Sequence, residues 1–214
     1  MKFKNIIFDL DGTLTKSDEG IFYTLEKVFK KVNATPPSKT EWLSRFIGPS
    51  LHDIYLSVGI DIKDVNFAIK LYQDIYAKEG MFLSTLYDGI LDLLTSLKNS
   101  GCNIYMATAK NVSAGIDVAK HLKIIDFFKH IEGSSDDQTV SEKPKIIENL
   151  LKKTNILDTD STVMIGDKKY DIDGAIANNI KSIGVTYGYG NIEELKSASY
   201  IVNTVDELKK LLLK

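Results

Sequence analysis

The chain has 214 residues, of which 43% are apolar and 26% charged, and a formal net charge of −2. That composition supplies a sizeable core and excludes wholesale disorder, and the nearly neutral balance argues against a general binder of nucleic acid or membrane surfaces. The lone cysteine, Cys102, cannot build a disulfide framework or a zinc site, and the apolar run behind Met1-Lys2-Phe3-Lys4 stops at Asp9, too soon for a signal peptide or a membrane span, so a soluble cytoplasmic protein is expected.

The first element is a short run of strand formers, Ile6-Ile7-Phe8, apolar enough to be buried on both faces of a sheet. Asp9, Asp11 and Gly12 follow it. Residues two apart in extended chain point to the same side, so both carboxylates can face one site. Two acids side by side at the end of a buried strand are costly to ionise, and a hard cation such as Mg²⁺ relieves that cost. The Asp-Gly pair fits a hairpin turn equally well.

From Asp18 to about Glu79 the pattern is helical. Ile21, Leu25, Val28, Phe29 and Val32 recur at helical spacing, and Pro36-Pro37 ends that helix. Ser38 and Glu41 have capping-box spacing. Gly48-Pro49 breaks the chain again before a helix over 51–58, and Val65, Ala68, Ile69, Tyr72, Ile75 and Tyr76 mark one more amphipathic helix. After Tyr87 helices and strands alternate. Helices are expected over 90–98, 113–121, 144–153, around 172–177, over 192–195 and at the end of the chain, where Thr204 and Glu207 form a second capping pair. Strands are expected over 102–107, 128–131, 162–165, 181–185 and 200–202. The alternation predicts an α/β fold, a doubly wound parallel sheet with helices on both faces and a helical insertion after its first strand. Ligands of such sheets bind beyond the carboxyl ends of the strands.

Polar residues stand at those ends. Thr108, before a helix start, suits a phosphate oxygen or serves as a plain turn residue. Lys143 opens a helix at Pro144, where a cation is disfavoured unless an anion lies between, or else it is a solvated lysine beside Glu142. Asp167 again follows a strand, after Gly166. Asp171 can reach the same site, although Asp171 and Asp173 also read as ordinary acids of a helix's first turn.

In this order the four features resemble the haloacid dehalogenase-like hydrolase superfamily in its phosphatase branch. Asp9-Leu10-Asp11-Gly12-Thr13 matches the first motif, Thr108 the second, Lys143 the third, and Gly166-Asp167 with Asp171 the fourth. The resemblance covers essentially the whole chain. It implies a Rossmann-like core of residues 1–15 and 87–214 and a helical cap of residues 16–86, with Thr15-Lys16-Ser17 and Ser84-Thr85-Leu86 as the two hinge strands. It also implies a small phosphorylated metabolite as substrate, no nucleic-acid or membrane partner, and a monomer or homodimer. Phe46-Ile47-Gly48-Pro49, Gly133-Ser134-Ser135 and the run from Gly184 to Gly190 are similar to the phosphoglycolate-phosphatase group. The stretch Asp136-Asp137-Gln138-Thr139-Val140 departs from that group, which often has an arginine there.

The implied roles are Asp9 as nucleophile, forming an aspartyl-phosphate, and Asp11 as general acid and then base. Asp9, the carbonyl of Asp11 and Asp167 would bind Mg²⁺, with Asp171 nearby, while Thr108 and Lys143 hold phosphate oxygens. Arg45 and Gly48, in the cap loop, are the candidate substrate readers. Phosphoglycolate is the first substrate expected, with a 5′-nucleotide or pyrophosphate as alternatives. A mutase is disfavoured because residues 15–20 contain no histidine. A non-catalytic binding protein is the reading from another class, and retention of Asp9, Asp11, Lys143 and Asp167 together argues against it.

Overall fold

The computed structural model describes residues 2–135 and 139–214, so Asp136, Asp137 and Gln138, within the departing stretch, lie outside it. Six parallel strands form the main sheet: β1 (Asn5–Phe8), β4 (Asn103–Asn111), β5 (His130–Ser134), β6 (Thr162–Gly166), β7 (Lys181–Val185) and β8 (Tyr200–Val202), in the order β5-β4-β1-β6-β7-β8. Their side chains divide by parity. Ile6, Phe8, Ile104, Met106, Val163 and Ile165 face one core, closed by α5 (Ile90–Asn99), α6 (Val112–His121) and α9 (Val205–Leu213). Ile7, Tyr105, Ala107 and Met164 face the other, closed by α7 (Lys143–Lys153) and α8 (Lys169–Ala177). The run Ile6-Ile7-Phe8 is fully buried because it serves both faces, which strict period-two patterning would not allow.

Strand order reverses beside β1, with β4 and β5 on one side and β6 to β8 on the other. Such a reversal opens a crevice at the carboxyl ends, where Asp9, Asp11 and Asp167 stand.

The helical insertion comprises α1 (Asp18–Lys31), α2 (Trp42–Phe46), α3 (Leu51–Ser57) and α4 (Ile62–Lys78). Phe22, Phe29, Trp42 and Tyr55 meet edge to face at ring separations of 5.4 to 6.2 Å, with Phe46 among them. Its two crossings pair as a short antiparallel ribbon, β2 (Thr15–Lys16) with β3 (Thr85–Leu86), through Thr15 opposite Leu86 and Lys16 opposite Thr85. Among the described residues no helix is long and apolar enough to cross a membrane.

Several local expectations fail for identifiable reasons. Ser38 caps no backbone amide, because its hydroxyl pairs with Thr40 Oγ1 at 2.9 Å and only a 3₁₀ turn follows. Residues 192–197 form turns, not a helix. Thr204 Oγ1 does accept from the amide of Glu207 at 3.1 Å, but the Glu207 carboxylate reaches Asn203 N at 2.7 Å instead of closing the box. β4 runs past Ala107 to Asn111, with a register shift against β5 between those residues, so Thr108 and Lys110 belong to the strand.

Candidate active site

Asp9 follows β1 directly, and its amide donates to Ile165 O at 2.9 Å, fixing the backbone between two strands. Its carboxylate accepts from Lys143 Nζ at 2.6 Å. Lys143, the first residue of α7, also reaches Asp171 Oδ1 at 2.8 Å and donates to Ala107 O at 3.0 Å. Its side chain is 4% exposed, so the cation at this helix N-terminus is held by two carboxylates and is not solvated. Burial lowers the Lys143 pKa, and Asp171 and Asp9 together overturn that and hold it above the ordinary lysine range.

Asp167 follows β6 and is fully buried. Its Oδ2 accepts from the amides of Tyr189 at 2.7 Å and Gly190 at 3.3 Å, and Oδ1 accepts from Thr13 Oγ1 at 3.4 Å. A side chain at Gly12, whose φ is +80°, would put its Cβ 2.3 Å from Asp167 Oδ2, so the turn after the first motif has to lie against this carboxylate without one. Asp171 sits on the third residue of α8 and its Oδ2 accepts from the amide of Lys168 at 3.1 Å. It is therefore both a first-turn acid and a member of the buried centre.

Asp9, Asp167 and Asp171 each place one oxygen within 4.8 Å of the others. Burial, and then repulsion from Asp171, pushes the Asp167 pKa up to about 7. Burial also raises Asp9 well above the ordinary carboxylate range; Lys143 opposes this, and Asp171, Asp167 and Asp11 add to it. Once ionised, Asp9, Asp167 and Asp171 outnumber the ammonium groups that act on them, Lys143 directly and Lys168 on Asp167, while Asp11 is matched by Lys110. An all-oxygen donor set with that deficit fits a hard divalent cation such as Mg²⁺.

Asp11 points beside this cluster. Both of its oxygens accept from Lys110 Nζ, at 2.7 and 2.6 Å. Lys110 lies 4.8 Å from the ring centre of Tyr76 on α4, so a core strand, the second acid and the insertion meet at one ammonium. Burial lowers Lys110, and Asp11 with Tyr76 more than reverses this. Thr108 is fully buried beside them, and its oxygen accepts from the amide of Lys110 at 3.2 Å, which leaves the hydroxyl proton to donate.

The structure brings Asp9, Asp11, Thr108, Lys143, Asp167 and Asp171 together at the strand ends. Gly48 reaches the same cleft. Its φ is +111°, and a Cβ there would lie 3.1 Å from Tyr170 of α8, so the loop after α2 rests on the core. Arg45 is not brought in. Its guanidinium pairs with Glu41 at 3.5 Å and Ser57 O at 3.4 Å on the outer side of the insertion, and it does not line the cleft.

Sequence reasoning missed Lys110, because the strand was expected to end at Ala107; two residues past Thr108 in extended chain, it faces the same way. It missed Lys168, which is 6% exposed, with Nζ donating to Tyr189 O at 3.3 Å. It also missed Tyr189, whose flanking glycines were the available signal of close backbone approach.

The cleft above the acids has a volume of about 740 Å³ and is walled on the insertion side by Phe46, Ile47, Leu51, Ile69 and Tyr72, with Asn66 and Gln73 among them. The family model for haloacid dehalogenase-like hydrolases matches residues 6–185. A 5′-nucleotidase from Pseudomonas aeruginosa is 33% identical over 92% of this chain and 89% of its own. A phosphoglycolate phosphatase from Vibrio vulnificus is 30% identical over 99% of this chain and 95% of its own. The crystal structure of a predicted phosphatase from Clostridium acetobutylicum superposes with a TM-score of 0.92 at 39% identity, covering 100% of this chain and 99% of that one.

Proposed function

The chain belongs to the haloacid dehalogenase-like hydrolase family, and we propose that it is a Mg²⁺-dependent phosphatase that cleaves small phosphomonoesters through an aspartyl-phosphate on Asp9. The observation that carries this reading is the setting of Asp9, with Lys143 at 2.6 Å on one side, Asp167 and Asp171 on another, and Asp11 two residues on.

A phosphate dianion and the Asp9 carboxylate repel by about 4 kcal/mol per charge pair at 4 Å and an effective dielectric of 20. Lys143 opposes that repulsion, and Thr108 has a proton to donate to a phosphate oxygen. Asp9, Asp167 and Asp171 would hold Mg²⁺, which when bound offsets the remaining negative charge. An oxygen of Asp9 attacks phosphorus, the ester P–O bond breaks, and the leaving oxygen takes a proton from Asp11. Asp11 then takes a proton from water as that water's oxygen attacks the phosphorus. The P–O bond to Asp9 breaks, inorganic phosphate leaves, and Asp11 is again protonated. An ammonium on both oxygens of Asp11 competes with this proton, so the acid step requires Lys110 to move off one of them.

The cleft favours a leaving group larger than glycolate. Sites of about 300–1,000 Å³ take drug-sized ligands, and the insertion wall here sets apolar side chains beside the polar Asn66, Lys70, Gln73 and Asp74. A nucleoside offers flat apolar faces and a hydrogen-bonding edge, whereas the leaving group of pyrophosphate has no apolar surface. The similarity to a 5′-nucleotidase supports the same choice. Hydrolysis of 5′-nucleotides, phosphoglycolate, sugar phosphates and pyrophosphate should be compared with Mg²⁺ and with chelator. Nucleotides should be cleaved best and chelator should abolish turnover, while Asp9→Asn should accumulate no phosphoenzyme. Full activity after metal removal, or an active Asp9→Asn, refutes the assignment.

A further inference from the structure

The loop after β7 lies on the acidic centre. A Cβ at Gly190 would fall 1.7 Å from Asp167 O, and one at Gly188 would fall 2.4 Å from Asp167 Cβ. The backbone at these positions is thus seated on Asp167 with no room for side chains. Tyr189, between them, donates its amide to Asp167 Oδ2 at 2.7 Å and accepts from Lys168 Nζ at its carbonyl.

The Tyr189 side chain runs to the insertion. Its hydroxyl accepts from the amides of Ser17 at 2.6 Å and Asp18 at 3.0 Å and donates to Asp18 Oδ1 at 2.8 Å. Those amides open α1, the first helix of the insertion. Helices ordinarily satisfy their leading amides with a local Ser, Thr, Asp or Asn. Here the N-cap is Ser17, yet its side chain caps nothing, and its buried hydroxyl has no hydrogen-bond partner among the described residues. The cap of α1 is supplied by a residue far along the chain whose own amide holds Asp167.

We propose that Tyr189 is a positioning residue that ties the Asp167 carboxylate to the root of the helical insertion, so that the acidic centre and the placement of the insertion over the cleft are set together. The proposal rests on reading Asp9 and Asp167 as the phosphoryl-transfer centre. Tyr187, in the same loop, is the built-in control: its hydroxyl donates to Thr13 O at 3.0 Å and, among the described residues, makes no hydrogen bond to Asp167 or to α1, although Asp167 acts on it electrostatically.

The test has two readouts. Amide hydrogen exchange at Ser17 and Asp18 is measured without metal in wild type, Tyr189→Phe, Tyr187→Phe, Asp167→Ala and the Asp167→Ala/Tyr189→Phe double variant. Loss of the hydroxyl should speed exchange about tenfold. Asp167→Ala should speed it as well, and the double variant should exchange no faster than Tyr189→Phe, the signature of one shared linkage. Tyr187→Phe should leave these amides unchanged. In the kinetic readout, Tyr189→Phe should lose about tenfold in kcat/KM for the organic phosphomonoester that wild type hydrolyses best and clearly less on acetyl phosphate, whose small leaving group gains least from the insertion. Should Asp167→Ala not fold, the contrast between Tyr189→Phe and Tyr187→Phe in both readouts decides. Wild-type exchange at Ser17 and Asp18 in Tyr189→Phe, additive effects in the double variant, or equal loss on both substrates overturns the tie. A wild type that cleaves no phosphoester overturns the reading of the centre, and the exchange data still decide on the linkage.

Discussion

Replacing Lys143 by methionine removes an ammonium at nearly constant side-chain length and leaves Asp9 and Asp171, 10% and 1% exposed in their side chains, facing each other without it. Breaking a buried ion pair by deleting one partner costs about 3–5 kcal/mol, because the other charge stays buried. The same ammonium offsets the repulsion between a phosphate dianion and Asp9, a term of about 4 kcal/mol, which corresponds to about a thousandfold in kcat/KM. The two effects separate experimentally. Urea unfolding with and without Mg²⁺ reads the first, and steady-state kinetics well below the unfolding midpoint reads the second. Mg²⁺ should recover part of the lost stability, because it supplies positive charge to Asp9 and Asp171, and it should not recover the rate. A folded Lys143→Met with less than tenfold loss in kcat/KM would show that Lys143 is structural and that the charge argument for the transfer step is wrong.

Arg45→Ala should leave kcat/KM within about twofold for every phosphoester and stability within about 1 kcal/mol, since its exposed pair with Glu41 has the character of a surface salt bridge. A loss confined to carboxylate-bearing esters such as phosphoglycolate would return Arg45 to the role the sequence suggested for it. The metal-free protein should lose stability as pH rises from about 4 to about 7. Asp167 titrates near 7 when folded against an ordinary 3.8, so across that window the native state holds a proton that the unfolded chain has released, and stability falls with pH. Denaturation midpoints in chelator across this range, with Asp167→Asn as the flattened reference, test the sign; a wild-type stability that rises with pH more steeply than Asp167→Asn refutes it.

Most of the fold was legible because its signals are local. The apolar strands, the alternation after Tyr87 and the Pro-Pro and Gly-Pro breaks all act within a few residues, and helix and strand periods then dictate what they bury. The motif residues were legible because chemistry restricts what can stand at a strand end: Asp9, Asp11 and Asp167 have no use there as core. Tertiary partners were not legible. Arg45 looked like an anion reader from its loop, but its position on the short helix α2 aims it at Glu41 and Ser57. Nothing local marks Lys168, beside the exposed Lys169, for burial, yet the loop bearing Tyr189 folds over it. Lys110 depended on a strand end misplaced by four residues, as β4 stops at Asn111 and not Ala107, within which a register shift lets the strand continue.

The place of β1 in the sheet has a consequence for how the molecule is made. Asn5 lies beside Asn103, 98 residues on, and beside Thr162, 157 residues on. The strand that leads to Asp9 is made before either of its neighbours and meets the second only after the whole insertion, α5 and two further strand–helix steps. At about 5–20 residues per second that delay is roughly ten to thirty seconds. Throughout it Ile6-Ile7-Phe8 presents an apolar segment with at least one open edge, the kind of surface that recruits other chains. Half-made copies are therefore an aggregation hazard, and Asp9 acquires Asp167 only when that hazard has passed.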